Sequence, residues 1–301
     1  MALDADAPAL TGAARFEWRT DWPAAAALQG AGLVDLGAAA RKAKRRGPTV
    51  PREVRRLYGP VAVLAVWSVL CATHILGPRV FPPPWEVVKA GIDLSLSGVL
   101  EDHLKASLLR VLEGGIPGVL IGVALAVLAG TLTVAEDVVD SLMQILKAVP
   151  EFTIVPLLII WMGINDPPKI TLIMMSVASP IYLNMYGAIR AVDSRLIEAA
   201  KTLGLGYWQR VWHIVLPGAM PGFLLGLRIS LTAAWLALVF AETINAQNGL
   251  GKLMSDARSW WQLDVMVLVI AIYAALGLLS YAFVRMLGRR LLVWRKGYDG
   301  E

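Results

Sequence analysis

The chain has 301 residues, 57% of them hydrophobic and 17% charged, with a net charge of +5; its mean hydropathy is +0.60 and its pI about 9.4. Soluble domains carry roughly 45–50% apolar residues, so this composition excludes an ordinary soluble fold and calls for a surface that faces lipid. The basic residues gather at the edges of apolar runs and form no aromatic-interleaved stripe, which argues against nucleic acid as a partner.

Residues 1–56 form a basic N-terminal segment without the apolar stretch of a secretory signal, so the first span is expected to remain as an anchor. Within it, Ala24–Leu36 with Trp18 and Trp22 is compatible with a short helix on the bilayer surface or with disorder. The lone Cys71 lies in an apolar run and reads as an inert buried thiol, since it has no second cysteine for a disulfide or a metal site.

Residues 57–297 are expected to be an all-α membrane domain of six transmembrane helices, because a span needs roughly 20 apolar residues. In chain order the windows are Pro60–Leu76, closed by Gly77–Pro78; Gly114–Ala135; Val138–Gly163; Ile170–Ile189; Pro221–Ile244; and Val265–Val284. Val138–Gly163 is interrupted by Lys147, Pro150, Glu151 and Pro156, which predicts a kinked helix turned toward the protein interior. Arg41, Lys42, Lys44, Arg45, Arg46, Arg52, Arg55 and Arg56 precede the first span, and this bias predicts a cytoplasmic N-terminus. Six crossings return the C-terminus, with Arg285, Arg289, Arg290, Arg295 and Lys296, to the same side, together with the loop at 190–217.

That loop contains a capped helix. Asp193 or Ser194 can accept the free N–H groups at its start, and Gly204 can supply the left-handed residue that ends it, so a helix is expected over about Arg195–Leu203. Leu196, Ile197, Ala200 and Leu203 give this aqueous helix an apolar face, with Ala199 and Ala200 keeping it shallow, as a docking surface requires.

Inside the membrane windows, Lys147, Glu151, Asn184, Glu242 and Asn245 are candidate pathway residues, because polar groups at membrane depth are costly and tend to face a pathway. Each has a plainer reading: Lys147 and Glu151 are spaced for an i,i+4 pair that Pro150 would bend, and Glu242 near a span end can snorkel. His74, His103 and His213 are too scattered for a metal site, no Ser-His-Asp spacing is present, and no phosphate-binding Gly-rich loop occurs. Catalysis is therefore not expected.

The loop resembles the signature of ABC importer permeases: Glu198-Ala199-Ala200, three residues, Gly204, nine residues, Ile214, one residue, Leu216-Pro217. Phe81 to Val88, His103 to Arg110, Trp161 to Ile164 and Glu242 to Gly251 extend the resemblance to the nitrate, sulfonate and taurine branch over residues 60–295, and it is most similar to the aliphatic sulfonate permeases. It implies the type I importer architecture in a bacterial plasma membrane, with Glu198 to Gly204 docking on an ATPase. It also implies a homodimer with two ATPase subunits that bind the ATP and magnesium, an external solute-binding protein, and no cofactor on this chain. The implied cargo is a small organic anion such as a sulfonate, with taurine, nitrate or a small heterocycle as alternatives. Glu151 departs from the branch, where a neutral, apolar or histidine residue is expected, and an unpaired carboxylate there would repel a sulfonate. An ion-driven secondary transporter, the main rival, would show repeated halves with paired broken helices, and no duplicated segment is evident.

Overall fold

A computed structural model describes residues 52–73 and 81–294, and every described element is helical. The expected surface helix at Ala24–Leu36, the basic run at 41–46, His74, Gly77–Pro78, Arg295 and Lys296 lie outside the described residues. The chain divides at Pro60. The helices in order are α1 (Arg52–Ala72), α2 (Pro84–Leu96), α3 (Val99–Thr131), α4 (Thr133–Ala148), α5 (Val155–Met162), α6 (Asp166–Arg190), α7 (Ser194–Thr202), α8 (Tyr207–Arg210), α9 (Leu216–Asn245), α10 (Leu250–Ser259) and α11 (Leu263–Leu291).

Among the described residues, four helical stretches are long and apolar enough to cross a membrane: Val99–Thr131, Asp166–Arg190, Tyr207–Ile244 and Leu263–Leu291. Two features depart from six straight spans. Tyr58–Ala72 is apolar but short, and α4 with Glu151–Met162 reaches span length only as a pair bent by 86°. The bend has a local cause. Pro150 lacks an N–H and pushes the preceding residue out of the helical region, and Val149 accordingly has ψ 124°.

Span boundaries also differ from the apolar windows. The helix carrying Gly114–Ala135 stops at Thr131, because Leu132 is extended (ψ 117°), so Val134 and Ala135 belong to α4. At its other end α3 begins at Val99, and His103, Ser107 and Arg110 ride on the same helix as the apolar run. α6 starts at Asp166, with Pro167 and Pro168 in the first turn where missing N–H groups cost nothing. The amphipathic helices α2 and α10 were not anticipated. They pack with α11 through Ala90, Leu250, Leu253, Ala257, Val265 and Val269.

α6 is the hub of the bundle: half of its apolar window (50%) is buried, against 11% for α11. Between apolar helices in lipid there is no hydrophobic drive, so close packing depends on small residues that let backbones approach. Gly114, Gly118 and Gly122 recur every fourth residue along α3, and a Cβ at each would lie 2.7 Å from the carbonyl oxygens of Ile170, Met174 and Ala178 on α6. On an adjoining face of α6, Gly226 of α9 approaches the Pro180 carbonyl in the same way, with a Cβ there 3.0 Å away.

Candidate functional site

The expected loop helix is present. Asp193 caps it by accepting from the Arg195 N–H at 2.9 Å. Gly204 ends it at φ +77°, where the Leu205 N–H reaches the Ala200 carbonyl and the Gly204 N–H reaches Lys201, both at 3.0 Å. That is the Schellman closure, which only a glycine-like conformation completes without strain. α7 stands on the bundle through Ala200, which is 4% exposed, while Leu196 and Leu203 are 56% and 79% exposed. Glu198 and Ala199 are exposed as well, and Ile197 is half-buried. The helix thus presents two leucines and an alanine outward.

Beyond Gly204 the chain does not form a loop as far as Pro217. α8 runs through a π-helical turn, Val211–Val215, directly into α9, with the Leu216 N–H bonded to the Val211 carbonyl. The wide turn suits Pro217, whose ring would crowd the carbonyl four residues back in a regular helix. Ile214, Leu216 and Pro217 are half-buried in this junction.

The candidate pathway residues are scattered. Lys147 is exposed at the end of α4, and Glu151 lies beyond the bend, so the anticipated i,i+4 pair is not made. Glu151 instead accepts a hydrogen bond from Ser176 of α6 and borders a cavity with Ile121, Met143, Met174, Ala178 and Ser179. Asn184 is half-buried and donates to the Pro180 carbonyl at 2.8 Å. The side chain of Asn245 lies outside the described residues.

Glu242 neither snorkels nor faces open space; it is 1% exposed. Its carboxylate accepts from Ser107 Oγ at 2.8 and 2.9 Å, from Arg110 Nη1 at 2.7 Å and from the Gly251 N–H at 2.8 Å. Arg110, 4% exposed, also donates through Nη1 to the Asn248 carbonyl and through Nε to Asp166, at 2.7 and 2.9 Å. One guanidinium therefore ties α3, α6, α9 and the 246–249 turn together, in the forked geometry that arginine provides. Gly249, at φ +118°, passes so close to the Glu242 carboxylate that a Cβ would overlap it. Sequence reading missed Arg110, Ser107, Asp166 and Asn248. The available signal was an arginine one turn before an apolar run.

Residues 118–293 match the family described as "binding-protein-dependent transport system inner membrane component". The chain belongs to this family. It is a multi-pass membrane protein and the permease component of a transport system of the ABC class. The permease is 37% identical to a putative aliphatic sulfonates transport permease of Bacillus subtilis, over 82% of this chain and 92% of that protein. It is 38% identical to the corresponding Escherichia coli protein, over 79% and 91%, and 33% identical to the taurine transport system permease of Escherichia coli, over 84% and 94%. Among solved structures, an amino acid ABC transporter chain aligns with a TM-score of 0.55 and 16% identity, over 65% of this chain and 96% of that one. A chain of the methionine ABC transporter, crystallised facing inward, aligns at 0.53 and 19%, over 62% and 92%. At these identities the shared property is the fold. The matched segment of the permease includes α7, Gly204, the π turn and Glu242, whereas Ser107 and Arg110 precede it.

Proposed function

We propose that this permease forms the translocation path of a bacterial inner-membrane importer for aliphatic sulfonates. α7 acts as the coupling helix: Glu198, Ala199 and Gly204 dock on an ATPase subunit, Ala200, expected in the docking face, is buried and seats the helix on the bundle instead, and Ile214, Leu216 and Pro217 join that helix rigidly to α9. The observation that carries this reading is α7 itself, capped at both ends and presenting Leu196, Ala199 and Leu203 away from the bundle. Exposed apolar side chains on a short polar helix are costly unless a partner covers them.

In this reading Tyr58–Ala72 and the bent α4–α5 pair complete six spans, with both termini in the cytoplasm. Two copies assemble with two ATPase subunits, which hold the ATP and magnesium, and an external binding protein delivers the cargo. ATP-driven closure of the ATPases draws the two α7 helices together and exchanges inward for outward access. Lys147, Glu151 and Asn184 are assigned to the pathway. Glu242 is assigned to the clamp with Arg110 instead, because its carboxylate has a full set of donors.

The sulfonate assignment draws on the names of the similar permeases. One observation favours a second reading, taurine. Glu151 has no cationic partner in Lys147 and would attract an ammonium group while repelling a plain sulfonate. The test is ATP-driven uptake by the assembled transporter in proteoliposomes, with ethanesulfonate and taurine supplied separately. Glu198→Ala with Gly204→Val should abolish uptake while the chain still inserts; undiminished uptake would refute the coupling assignment, and the ratio of the two solutes decides the cargo.

A further inference from the structure

α4 is built inside out. Its half-buried face is Ala135, Glu136, Val139, Asp140 and Met143, whereas Val134, Val138, Leu142, Ile145 and Leu146 are exposed, and none of its residues is fully buried. The acids point inward because α6 meets them with matched spacing. Tyr186 donates to Glu136 at 2.6 Å and Tyr182 to Asp140 at 3.2 Å, so an i,i+4 pair of tyrosines faces an i,i+4 pair of carboxylates. The two rings stack at 5.6 Å with 9° between their planes. Gln144 braces Asp140 from the next turn, and Arg190, the last residue of α6, reaches Glu136 at 3.5 Å. Val139 and Met143 add apolar contact beside the rungs.

We infer that the Tyr182–Asp140 and Tyr186–Glu136 rungs form a mechanical link that makes α4 follow the coupling helix. α6 ends at Arg190 and α7 begins at Ser194, so any displacement of α7 reaches the ladder through Ala191–Asp193. A helix held in lipid by apolar packing alone can slide, because lipid tails replace the contacts it loses. Directional O–H to carboxylate bonds at two successive turns fix both register and rotation. α4 in turn leads into the bend at Pro150, with Glu151 just beyond it. Tyr182 and Tyr186 are thus positioning residues for transport, and their role rests on α7 being the coupling helix.

The inference is tested in the assembled complex of permease, ATPase and binding protein, in a Cys71→Ala background. An environment-sensitive fluorophore is placed either at Ser194→Cys on α7 or at Ile145→Cys on α4, and emission is compared without nucleotide and after trapping with ATP and vanadate. In the otherwise unaltered complex both positions should respond. With Tyr182→Phe and Tyr186→Phe together, α7 should keep its full response while that of α4 falls at least threefold, and Glu136→Gln, which retains an acceptor, should preserve both. A normal α4 response in the double Phe variant overturns the inference, as does loss of both responses, which would mean that the ladder merely supports docking. A silent α7 in the unaltered complex is a different failure: it removes the coupling assignment and this inference with it.

Discussion

Arg110 Nη1 donates to Glu242 Oε1 at 2.7 Å across 132 residues of sequence, joining α3 to α9 inside the bundle. Both groups are buried, and Glu242 relies on Arg110 for its counter-charge, whereas Arg110 is also paired with Asp166 at 2.9 Å. Replacing Arg110 by Met should cost about 3–5 kcal/mol because the buried Glu242 charge is stranded, and Glu242→Leu should cost less, because Arg110 keeps Asp166 as an anionic partner. The double replacement should cost less than the sum, by an interaction of about 0.5–3 kcal/mol. Thermal unfolding of the purified permease in detergent, run as a full double-mutant cycle, measures this; strict additivity would refute the clamp.

The α3–α6 seam makes a second prediction. Gly118→Ala puts a Cβ 2.7 Å from the Met174 carbonyl, while Gly115, on the same helix, has nothing within 4 Å. Overpacking of this kind costs about 1–3 kcal/mol, so Gly118→Ala should lower the melting temperature and Gly115→Ala should not. Equal effects would mean that the two helices separate freely enough to absorb the methyl group.

At Gly204 the cost is conformational. No atom lies within 4 Å of a Cβ there, yet φ is +77°, a region that costs L-residues roughly 1–2 kcal/mol. Gly204→Val should loosen the end of α7 and reduce ATP-driven uptake by about tenfold or more at unchanged membrane content. Gly204→Asn, which tolerates the left-handed region, should retain most of it. Identical losses for Val and Asn would point to a side-chain clash with the partner rather than to backbone strain.

Glu151 makes a prediction about cargo. Removing its charge in Glu151→Gln should shift the ratio of ethanesulfonate to taurine uptake toward ethanesulfonate by about fivefold, the size expected for roughly 1 kcal/mol of screened charge interaction. Parallel uptake assays of the two solutes in proteoliposomes read the ratio directly. No change would remove Glu151 from the pathway.

Much of this protein was legible one segment at a time. The cap at Asp193, the glycine at 204 and the break at Pro150 each act on neighbours within a few residues, and all appear close to where residue chemistry puts them. The apolar windows located the long helices but not their ends, since α3 begins at Val99, well before its window, and stops at Thr131, short of that window's end, and α6 begins at Asp166.

What the amino-acid order determined by itself was therefore local: helix or break, cap or turn, lipid-compatible or not, because those outcomes depend on backbone geometry and solvation within about a helical turn. Tertiary structure alone decided which polar residues serve which purpose. Glu242 became the partner of a buried arginine, Glu151 separated from Lys147, and Glu136 and Asp140 turned inward to two tyrosines. A polar group inside an apolar bundle must find whichever partner the packing brings near, and the glycine-lined seams that bring α3, α6 and α9 together determine which one that is.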